Sequence, residues 1–521
     1  MREAFPKPAI AILLLAVAVR LYGTSVAATV NIDGTLYINQ AKALYFGQWQ
    51  ELYCGLGFLP LNSLLLVPLY FVTKNWIVAA KTLSLVCGVG SIVPIYLISK
   101  RFFEERICLT TLLLLSLIPV FVNSSIEIIK DPVAWVLFSC SLLCFVRHME
   151  QRDRRDIIFC SVLLLGAGWA RAEFFLLYFA TALYLLFSQQ NHRMRDLLLF
   201  LAPLIPFAFI AFFSAEIFGI NAGHLRTPGE FVPQATAHSH NPYTALKSQL
   251  FALADTYPPN GGLLQNFLPE AANLVWLVGL GMIATRAFEA IFHPFAIFFL
   301  VGFCSIGHWT HDKKIRYLLW ISAIAFLIVY LQTLRTWVLE PRWLGGMILS
   351  AMILAAVGLQ KTDIFLQERC KLGKKTSIIT ICIFLLLFGL AKNIKRHNQD
   401  NAVYKDIAST IERDSHQSPI TLAGSASTKA PLYFVSFYAN LKRPKAICPA
   451  DNLILTEEDL NSSATLSQKL SDQDIHYVLL APSPPGSNHL LLTQKLTTSG
   501  LLSLGEWHHK DLGPLLLYKV K

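Results

Sequence analysis

Charged residues are scarce in this sequence. Asp, Glu, Lys and Arg together make up 15% of the 521 residues, whereas hydrophobic residues make up 54%. Such a balance excludes an ordinary soluble enzyme and is typical of polytopic membrane proteins. The formal net charge of +11 comes from short basic clusters between apolar runs. That pattern orients a chain in a membrane and differs from the basic face that binds nucleic acid. We therefore expect a lipid bilayer as a partner and no nucleic acid.

Two further absences narrow the function. The ten cysteines form no CxxC and no zinc-type spacing with histidine, and most of them lie in apolar runs, where a thiol behaves as a small hydrophobic group. The sequence also has no internal repeat, although many transporters are built from repeats. These absences argue against a zinc or dithiol site and make a transporter a less favoured class.

The apolar runs predict an all-α polytopic membrane domain over residues 1–395, with about 11–13 transmembrane helices of the length that a bilayer requires. The first span covers roughly residues 8–29. Arg2 and Lys7 place the start of this span in the cytoplasm, because basic residues favour that side. The protein is therefore expected in the cytoplasmic membrane with a cytoplasmic N-terminus.

The remaining segments extend this topology. Within residues 271–308 the sequence TRAFEAIFHP divides two apolar stretches, and the positive-inside rule leads us to expect that one of them is re-entrant or interfacial. Residues 396–521 are polar. The helical pattern DIASTIERD and the apolar runs DIHYVLLAP and GPLLLYKV predict a small extracytoplasmic α/β domain there. The same topology places two loops outside the cytoplasm, a first loop at 30–75 and a long loop at 219–270.

The segment NIDGTLYINQAKALYFGQW, residues 31–49, follows the first span and carries a single acid, Asp33. It predicts a short helix on the membrane surface that ends near Gly47. Asp33 is expected at the start of this helix, either as a helix cap or as a catalytic group. The apolar positions at helical spacing are Tyr37, Ala41, Leu44 and Tyr45. The polar residues that fall largely on other sides of the helix are Asn39, Gln40 and Lys42.

Charged residues gather where predicted spans reach the extracytoplasmic face. A charge at a span end costs less than one at bilayer depth, so each set alone is explained by a structural ion pair. Both signs on one face together predict a polar cleft. The sets are Asp33; Glu127, Lys130 and Asp131; Arg171 and Glu173; and Glu340 with Arg342.

Such a cleft suits transfer of a sugar from a lipid phosphate. A phosphate leaves without a general acid, so one base that activates the acceptor hydroxyl is sufficient, and Asp33 is the candidate base. Cations must bind the phosphate, and the candidates are Arg342, Arg171 and Lys130. No set has metal-site spacing, so no cofactor is expected and a divalent metal is the least favoured role. The acids expected to support the cations or bind the acceptor are Glu127, Asp131, Glu173 and Glu340.

Four motifs in chain order resemble the C-type (GT-C) glycosyltransferases. They are D-G-x-x-Y-x-x-x-A-K-x-L-x-x-G-x-W at residues 33–49, then IEIIKDP, WARAEFFLLY and EPRW. The resemblance is closest to the bacterial relatives of the dolichyl-phosphate-mannose–protein mannosyltransferases, a group that includes the lipid A aminoarabinose transferase.

This resemblance implies an inverting transferase that uses a polyprenyl-phosphate sugar outside the cytoplasmic membrane. It also implies that Asp33 is the base and that Arg342 lies near the donor phosphate. The chain departs from the pattern twice: Gly34 stands where the family often has Glu, and Trp343 stands where Tyr commonly follows the Arg.

Alternative functions remain open at this point. A transporter or flippase for lipid-linked sugars, and a polymerase or ligase that uses a lipid diphosphate, would also place arginines at the outer face. A non-enzymatic assembly or receptor protein is a third alternative. The sequence identifies neither the sugar nor the acceptor, which is a glycan, a lipid or a protein.

Overall fold

The computed structural model describes residues 5–53, 59–187, 192–217, 242–256, 263–394, 399–415, 419–447, 452–481 and 501–520. It consists of a largely helical chain followed by a small sheet domain, which confirms the predicted fold class. The chain divides into two compact units. The first unit contains Met1–Leu21, Ser84–Ser125 and Lys130–Lys395, and the second contains Tyr22–Leu83, Ile126–Ile129 and Arg396–Lys521.

Eighteen α-helices precede the sheet domain in the described residues. In chain order they are α1 (Lys7–Val26), α2 (Ile32–Tyr45), α3 (Leu61–Thr73), α4 (Trp76–Gly90), α5 (Ile92–Ser99), α6 (Glu105–Leu117), α7 (Pro119–Ile126), α8 (Asp131–Gln151), α9 (Arg154–Ala170), α10 (Glu173–Phe187), α11 (Arg193–Leu201), α12 (Leu204–Ile217), α13 (Pro242–Asp255), α14 (Leu263–Ile291), α15 (His293–Ser305), α16 (Lys313–Thr336), α17 (Gly345–Glu368) and α18 (Lys374–Asn393).

Seven helical segments in the described part of the chain are long and apolar enough to cross a membrane, or eight if the bent pair α6–α7 counts as one span. The expected number of about 11–13 also counts shorter apolar segments such as α10. The seven segments are Lys7–Val26, Trp76–Ser99, Asp131–Gln151, Leu263–Ile291, Lys313–Thr336, Pro341–Glu368 and Lys374–Asn393.

The region between residues 219 and 308 differs from the expectation. Much of the predicted long loop at 219–270 lies outside the described residues, but its described part contains α13 and the start of α14. The first residues of the segment TRAFEAIFHP are still helical, because α14 continues to Ile291. The break comes at Phe292, which has a φ of 79° and precedes the N-terminal Pro294 of α15. Of the two apolar stretches, α14 has the length of a span, and α15 has only 13 residues.

The bend between α6 and α7 leaves helix carbonyls that need donors. Pro119 begins α7, and the two helices meet at an angle of 50°. The guanidinium of Arg20 on α1, which is fully buried, donates to the carbonyl of Ser116 at 3.1 Å. The amide of Asn393 on α18 donates to the carbonyl of Leu117 at 2.8 Å. Neighbouring helices thus satisfy the polar groups that a proline releases within a membrane span.

Two glycines let α15 and α17 cross in direct backbone contact. A Cβ at Gly302 would lie 1.8 Å from the carbonyl oxygen of Leu354, and a Cβ at Gly358 would lie 1.8 Å from that of Phe298. Small residues at such crossings are typical of helices that pack within membranes. The first unit therefore depends on the absence of side chains at these two positions.

We expect Gly358→Ala to lower the temperature of thermal unfolding of the full-length protein in detergent, because the added methyl group meets a backbone oxygen that cannot rotate away. Overpacking of this kind costs about 1–3 kcal/mol. The matched control is Gly281→Ala in α14, where a Cβ meets no atom within 4 Å. Equal unfolding temperatures for the two variants would contradict the close crossing.

The sheet domain contains five strands: β1 (Leu422–Ser425), β2 (Leu453–Leu455), β3 (Tyr477–Leu480), β4 (Leu501–His509) and β5 (Gly513–Val520). Their order is β2-β1-β3-β5-β4, with β1 parallel to β2 and β3, and β5 antiparallel to β3 and β4. The predicted strands in DIHYVLLAP and GPLLLYKV are therefore confirmed as β3 and β5. The helices of this domain are α19 (Val403–Asp414), α20 (Lys429–Asn440), α21 (Glu457–Asn461) and α22 (Ser463–Asp472).

Alternating residues of the central strand face two apolar cores. Tyr477 and Leu479 pack with residues of α19 and α20, whereas Val478 and Leu480 pack with residues of α22. Alternation of this kind follows from the two-residue period of a β-strand. The sheet is thereby covered on both faces.

Candidate active site

Asp33 lies in the first turn of α2 and is partly exposed. The N-cap residue of this helix is Asn31, so Asp33 does not occupy the capping position that the sequence suggested as one of its roles. The Asn31 side-chain oxygen accepts a hydrogen bond from the backbone N–H of Ile128 at 3.0 Å. The positive end of a helix dipole favours an acid in the first turn.

Gly34 brings a second segment close to the Asp33 turn. A Cβ at Gly34 would lie 2.6 Å from Cγ1 of Val30 and 2.8 Å from Cβ of Ile128. A glutamate, which relatives often carry at this position, therefore has no room here. The neighbouring Glu127 is exposed, so the packing of Ile128 on Gly34 places an exposed carboxylate on the segment that contacts the Asp33 turn.

The polar side of α2 is buried, which corrects the prediction of a surface helix. Asn39, Gln40 and Lys42 are each at most 4% exposed. Gln40 accepts a hydrogen bond from Ser63 of α3 at 3.1 Å, and burial lowers the pKa of Lys42 to about 8. The sequence pattern could not reveal this, because partners elsewhere in the chain accept from Lys42 and donate to Gln40.

In the first unit, Arg171 is held between two carboxylates. It lies at the junction of α9 and α10 and donates a buried hydrogen bond to Asp131, the first residue of α8. Its Nη2 lies 2.5 Å from Oε1 of Glu173, and its Nε lies 3.3 Å from Oε2. Lys130 is close enough to Glu173 for a favourable electrostatic interaction. We call Asp131, Arg171 and Glu173 the ion-pair triad.

The triad changes the electrostatics of Arg171. Burial by itself lowers the pKa of the guanidinium, but the charges of Asp131 and Glu173 raise it above the usual value. Arg171 is therefore a permanent cation. The two carboxylates together carry more formal charge than the one guanidinium of Arg171, so the triad as a whole has about one net negative charge.

Arg342 lies in the short 3₁₀ helix Pro341–Leu344, just before α17. Its Nε lies 2.5 Å from Oε2 of Glu340, and the two side chains are 23% and 45% exposed. Exposed ion pairs of this kind are weak because water screens them. The Arg342–Glu340 pair is therefore weaker than the buried pair of Arg171 with Asp131.

Arg342 and part of the triad line one cleft, which we call the arginine cleft. The structure thus brings together three of the predicted site residues, Arg171, Glu173 and Arg342, in a cleft with about 400 Å³ of empty space. The remaining lining residues are largely apolar or aromatic, apart from Gln332: Trp135, Phe174, Leu177, Ala325, Ile328, Val329, Gln332, Trp343, Gly346 and Met347.

The two glycines after the EPRW motif shape this cleft. A Cβ at Gly345 would lie 2.4 Å from the indole of Trp135, and a Cβ at Gly346 would lie 3.3 Å from the ring of Phe174. The cleft wall on α8 and α10 thus contacts the start of α17 directly. The sequence analysis did not identify Trp135 and Gln332 as cleft residues, because each lies within an ordinary apolar helix pattern.

The remaining predicted site residues do not line the cleft and are divided between the two units. Asp131 and Lys130 belong to the first unit beside the cleft arginines, and Asp33 and Glu127 belong to the second unit. Within the described residues, no group of three or more His, Cys, Asp or Glu side chains is arranged to hold a metal ion.

Comparisons with known proteins support the family resemblance. Residues 60–215 match the family model for dolichyl-phosphate-mannose-protein mannosyltransferase. The structure is similar to ArnT from Cupriavidus metallidurans bound to undecaprenyl phosphate, with 12% identity over 98% of this chain and 97% of that chain and a TM-score of 0.58. The chain has the fold of the GT-C membrane glycosyltransferases.

A second similar structure is the archaeal oligosaccharyltransferase AglB from Archaeoglobus fulgidus, in complex with an inhibitory peptide and a dolichol-phosphate. It is 11% identical over 98% of this chain and 74% of that chain, with a TM-score of 0.53. No curated protein matches the sequence. The matched segment 60–215 contains the triad but neither Asp33 nor Arg342.

Proposed function

We propose that the protein moves a sugar from a polyprenyl-phosphate donor to an acceptor hydroxyl on the extracytoplasmic face of the cytoplasmic membrane, with inversion at the anomeric carbon. The observation that carries this proposal is the arginine cleft, in which charged side chains adjoin an apolar wall formed by membrane helices. A lipid phosphate has the matching chemistry, since its head is anionic and its chain is apolar.

Two similar structures support a lipid-linked donor. ArnT is bound to undecaprenyl phosphate, and AglB is in complex with a dolichol-phosphate. Both ligands combine a phosphate with a polyisoprenoid chain. We extend this ligand class to the present chain because Arg342 and the apolar side chains around it offer complementary groups for both parts of such a carrier.

The proposed reaction is a single displacement. Asp33 takes the proton of the acceptor hydroxyl while that oxygen attacks the anomeric carbon, and the bond from this carbon to the phosphate oxygen breaks. The polyprenyl phosphate leaves with the bonding electron pair. Arg342 stabilises the negative charge that develops on the phosphate. The step requires no divalent metal, so we expect turnover to be unchanged when a chelator is added.

The cations have unequal roles in this proposal. Arg342 is assigned as the principal phosphate ligand because it lines the cleft and pairs with an exposed carboxylate, that of Glu340. Arg171 is more strongly neutralised, and we assign it, with Lys130, to shaping the potential of the cleft. Asp131, Glu173 and Glu340 hold these cations in place, and Glu127 is the candidate acceptor-binding acid.

Arg342→Ala is expected to weaken binding of undecaprenyl phosphate by about 10- to 100-fold, the usual value of hydrogen bonds to a charged group. The measurement is titration of undecaprenyl phosphate into purified full-length protein in detergent. Arg286→Ala is the matched control, because Arg286 also forms an exposed pair with a glutamate, Glu289, at 2.6 Å. Unchanged affinity in the Arg342 variant would overturn its assignment.

The reaction class is tested in cells that lack the protein. A transferase predicts that a polyprenyl-phosphate sugar accumulates and that one sugar disappears from a single acceptor, as measured by mass spectrometry of lipids and surface glycans. A flippase predicts that the donor accumulates on the cytoplasmic side. A polymerase or ligase predicts accumulation of a lipid diphosphate instead. The same spectra would identify the sugar and the acceptor.

A further inference from the structure

The segment that carries Asp33 is attached to the sheet domain at several points within the second unit. The amide of Gln399 donates to the carbonyl of Val26 at 2.7 Å, before α2 begins. Just ahead of the helix, the hydroxyl of Tyr438 on α20 accepts from the backbone N–H of Val30 at 2.8 Å. After the end of α2, the side chain of Gln48 accepts a hydrogen bond from the backbone N–H of Ala446 at 2.8 Å.

Lys42 makes the central attachment. Its Nζ donates to the carbonyl of Asn440 at 2.7 Å and to that of Leu441 at 3.3 Å, both at the C-terminal end of α20. The lysine side chain is 1% exposed, and within the described residues no carboxylate pairs with it. A buried ammonium group requires such acceptors, and the negative end of a helix dipole favours it. This contact is therefore specific rather than incidental.

The receiving end of α20 is itself hydrogen-bonded to the segment before β1. The side-chain amide of Asn440 accepts from the backbone N–H of Ile420 and donates to its carbonyl, each at 2.9 Å. It also donates to the carbonyl of Ser436 at 2.9 Å. These bonds join the end of α20 to the residues that lead into β1, in the middle of the sheet. A continuous path of hydrogen bonds thus runs from the sheet through Asn440 to Lys42.

The spacing on α2 places Asp33 on the opposite side of the helix from this attachment. Lys42 lies nine positions after Asp33, which corresponds to about two and a half turns and about 13 Å along the helix axis. Lys42 therefore holds the helix from one side while Asp33 lies on the other. Rotation or sliding of α2 would move the Asp33 carboxylate and would break the contacts of Lys42.

We propose that the sheet domain positions the base of the transferase, and that Lys42 is the positioning residue through which α20 sets the orientation of α2. This inference rests on the proposed role of Asp33 and extends it to the C-terminal domain. The domain then contributes to the rate of the chemical step, whether or not it also contacts the acceptor. A displacement of about 1 Å in a catalytic group lowers the rate by about 100-fold.

The test is Lys42→Met, which keeps the length and apolar stem of the side chain but removes its donors. We expect hydrogen exchange of the α2 amides to rise about tenfold, as for the loss of a charged hydrogen bond. Exchange in β3 and β5 is expected to stay unchanged. Turnover at saturating substrate should fall about 100-fold, with unchanged affinity for undecaprenyl phosphate. The donor comes from a lipid extract and the acceptor from cell envelopes, both from cells lacking the protein, and both are supplied to the full-length protein in nanodiscs.

Lys442→Met is the matched control, because Lys442 lies two residues after Asn440 and its side chain is 77% exposed. It should change neither exchange nor turnover. If Lys42→Met leaves α2 exchange unchanged, or raises it without loss of turnover, the positioning role is overturned. If Lys42→Met fails to fold, Tyr438→Phe decides the question. Tyr438→Phe removes one hydroxyl at the same interface. It should raise hydrogen exchange in the first turn of α2 and slow turnover. If neither the exchange nor the turnover changes, the proposal is overturned.

These outcomes are separate from those for the proposed function. If Asp33→Asn keeps full turnover, Asp33 is not the base, and this result stands whatever the exchange data show. If Asp33→Asn is inactive while Lys42→Met is fully active and shows faster hydrogen exchange of the α2 amides, the base assignment holds. Only the positioning proposal then fails.

Discussion

Asp33→Asn is expected to abolish turnover while undecaprenyl phosphate binds with unchanged affinity. The substitution replaces one carboxylate oxygen by an amide group of nearly the same size, so the packing of α2 is retained. An amide cannot take a proton from the acceptor hydroxyl at neutral pH. Loss of a general base lowers rates by about 10²- to 10⁴-fold. The measurement is the rate of sugar transfer by purified full-length protein supplied with lipid extract and cell envelopes from cells lacking it.

The control for this variant is Asp406→Asn. Like Asp33, Asp406 is an acid in the first turn of a helix of the second unit, α19, and it is exposed. Both substitutions lose the same favourable interaction with a helix dipole, which is worth about 0.3–1 kcal/mol. A general effect on helix stability would therefore lower turnover in both variants. Full activity in the Asp33 variant would leave Asp33 with a structural role only and would favour the non-catalytic alternatives.

Arg171→Met is expected to destabilise the first unit by about 3–5 kcal/mol, the usual cost of breaking a buried ion pair by removing one partner. The side chain of Asp131 is 2% exposed, so without Arg171 its charge stays buried and uncompensated. We expect a large decrease in the temperature of thermal unfolding in detergent. Arg286→Met is the control, because its pair with Glu289 is exposed and such pairs contribute about 0–1 kcal/mol.

A double variant separates the charge effect from the packing effect. Asp131→Asn removes the acid that Arg171→Met leaves unpaired, so the double variant should be more stable than the single Arg171 variant. Strong coupling between the two positions is expected because they share one hydrogen-bonded network. If Arg171→Met costs no more than the Arg286 control, the triad does not hold the cleft together. Its arginine would then be available to serve mainly as a phosphate ligand.

Several local features could be predicted from the sequence because neighbouring residues determine them. The helix of α2, its end near Gly47, and the strands β3 and β5 follow from hydrophobic period and turn chemistry. Gly47 has a φ of 69°, which glycine adopts without the cost that a side chain would impose. The fold class also follows from local composition, since long apolar runs can only be buried in a membrane or a core.

The charged sets at span ends could be named from the sequence, but their pairing could not. Arg342 is far from Arg171 along the chain, and only the packing of α17 against α8 and α10 places both in one cleft. That packing depends on Gly345 and Gly346, whose missing side chains admit Trp135 and Phe174. No local pattern reveals such a contact, because it depends on the shapes of residues from three separate helices.

The polar side of α2 illustrates the same limit. Helical spacing separated Asn39, Gln40 and Lys42 from the apolar residues and indicated solvent as their environment. Tertiary structure instead supplies Ser63 and the end of α20 as partners. A polar group is stable in water or against a complementary partner, and composition alone does not distinguish the two cases.

The sequence by itself determined the membrane class, the order of the motifs and the chemical types of the candidate groups, since these depend on side-chain polarity and short-range spacing. The tertiary structure alone decided which charges neutralise each other, which arginines line one cleft, and which side of α2 is held by the sheet domain. Those properties depend on distances and burial between residues that are remote in sequence, because electrostatic and hydrogen-bond energies change steeply over a few ångströms.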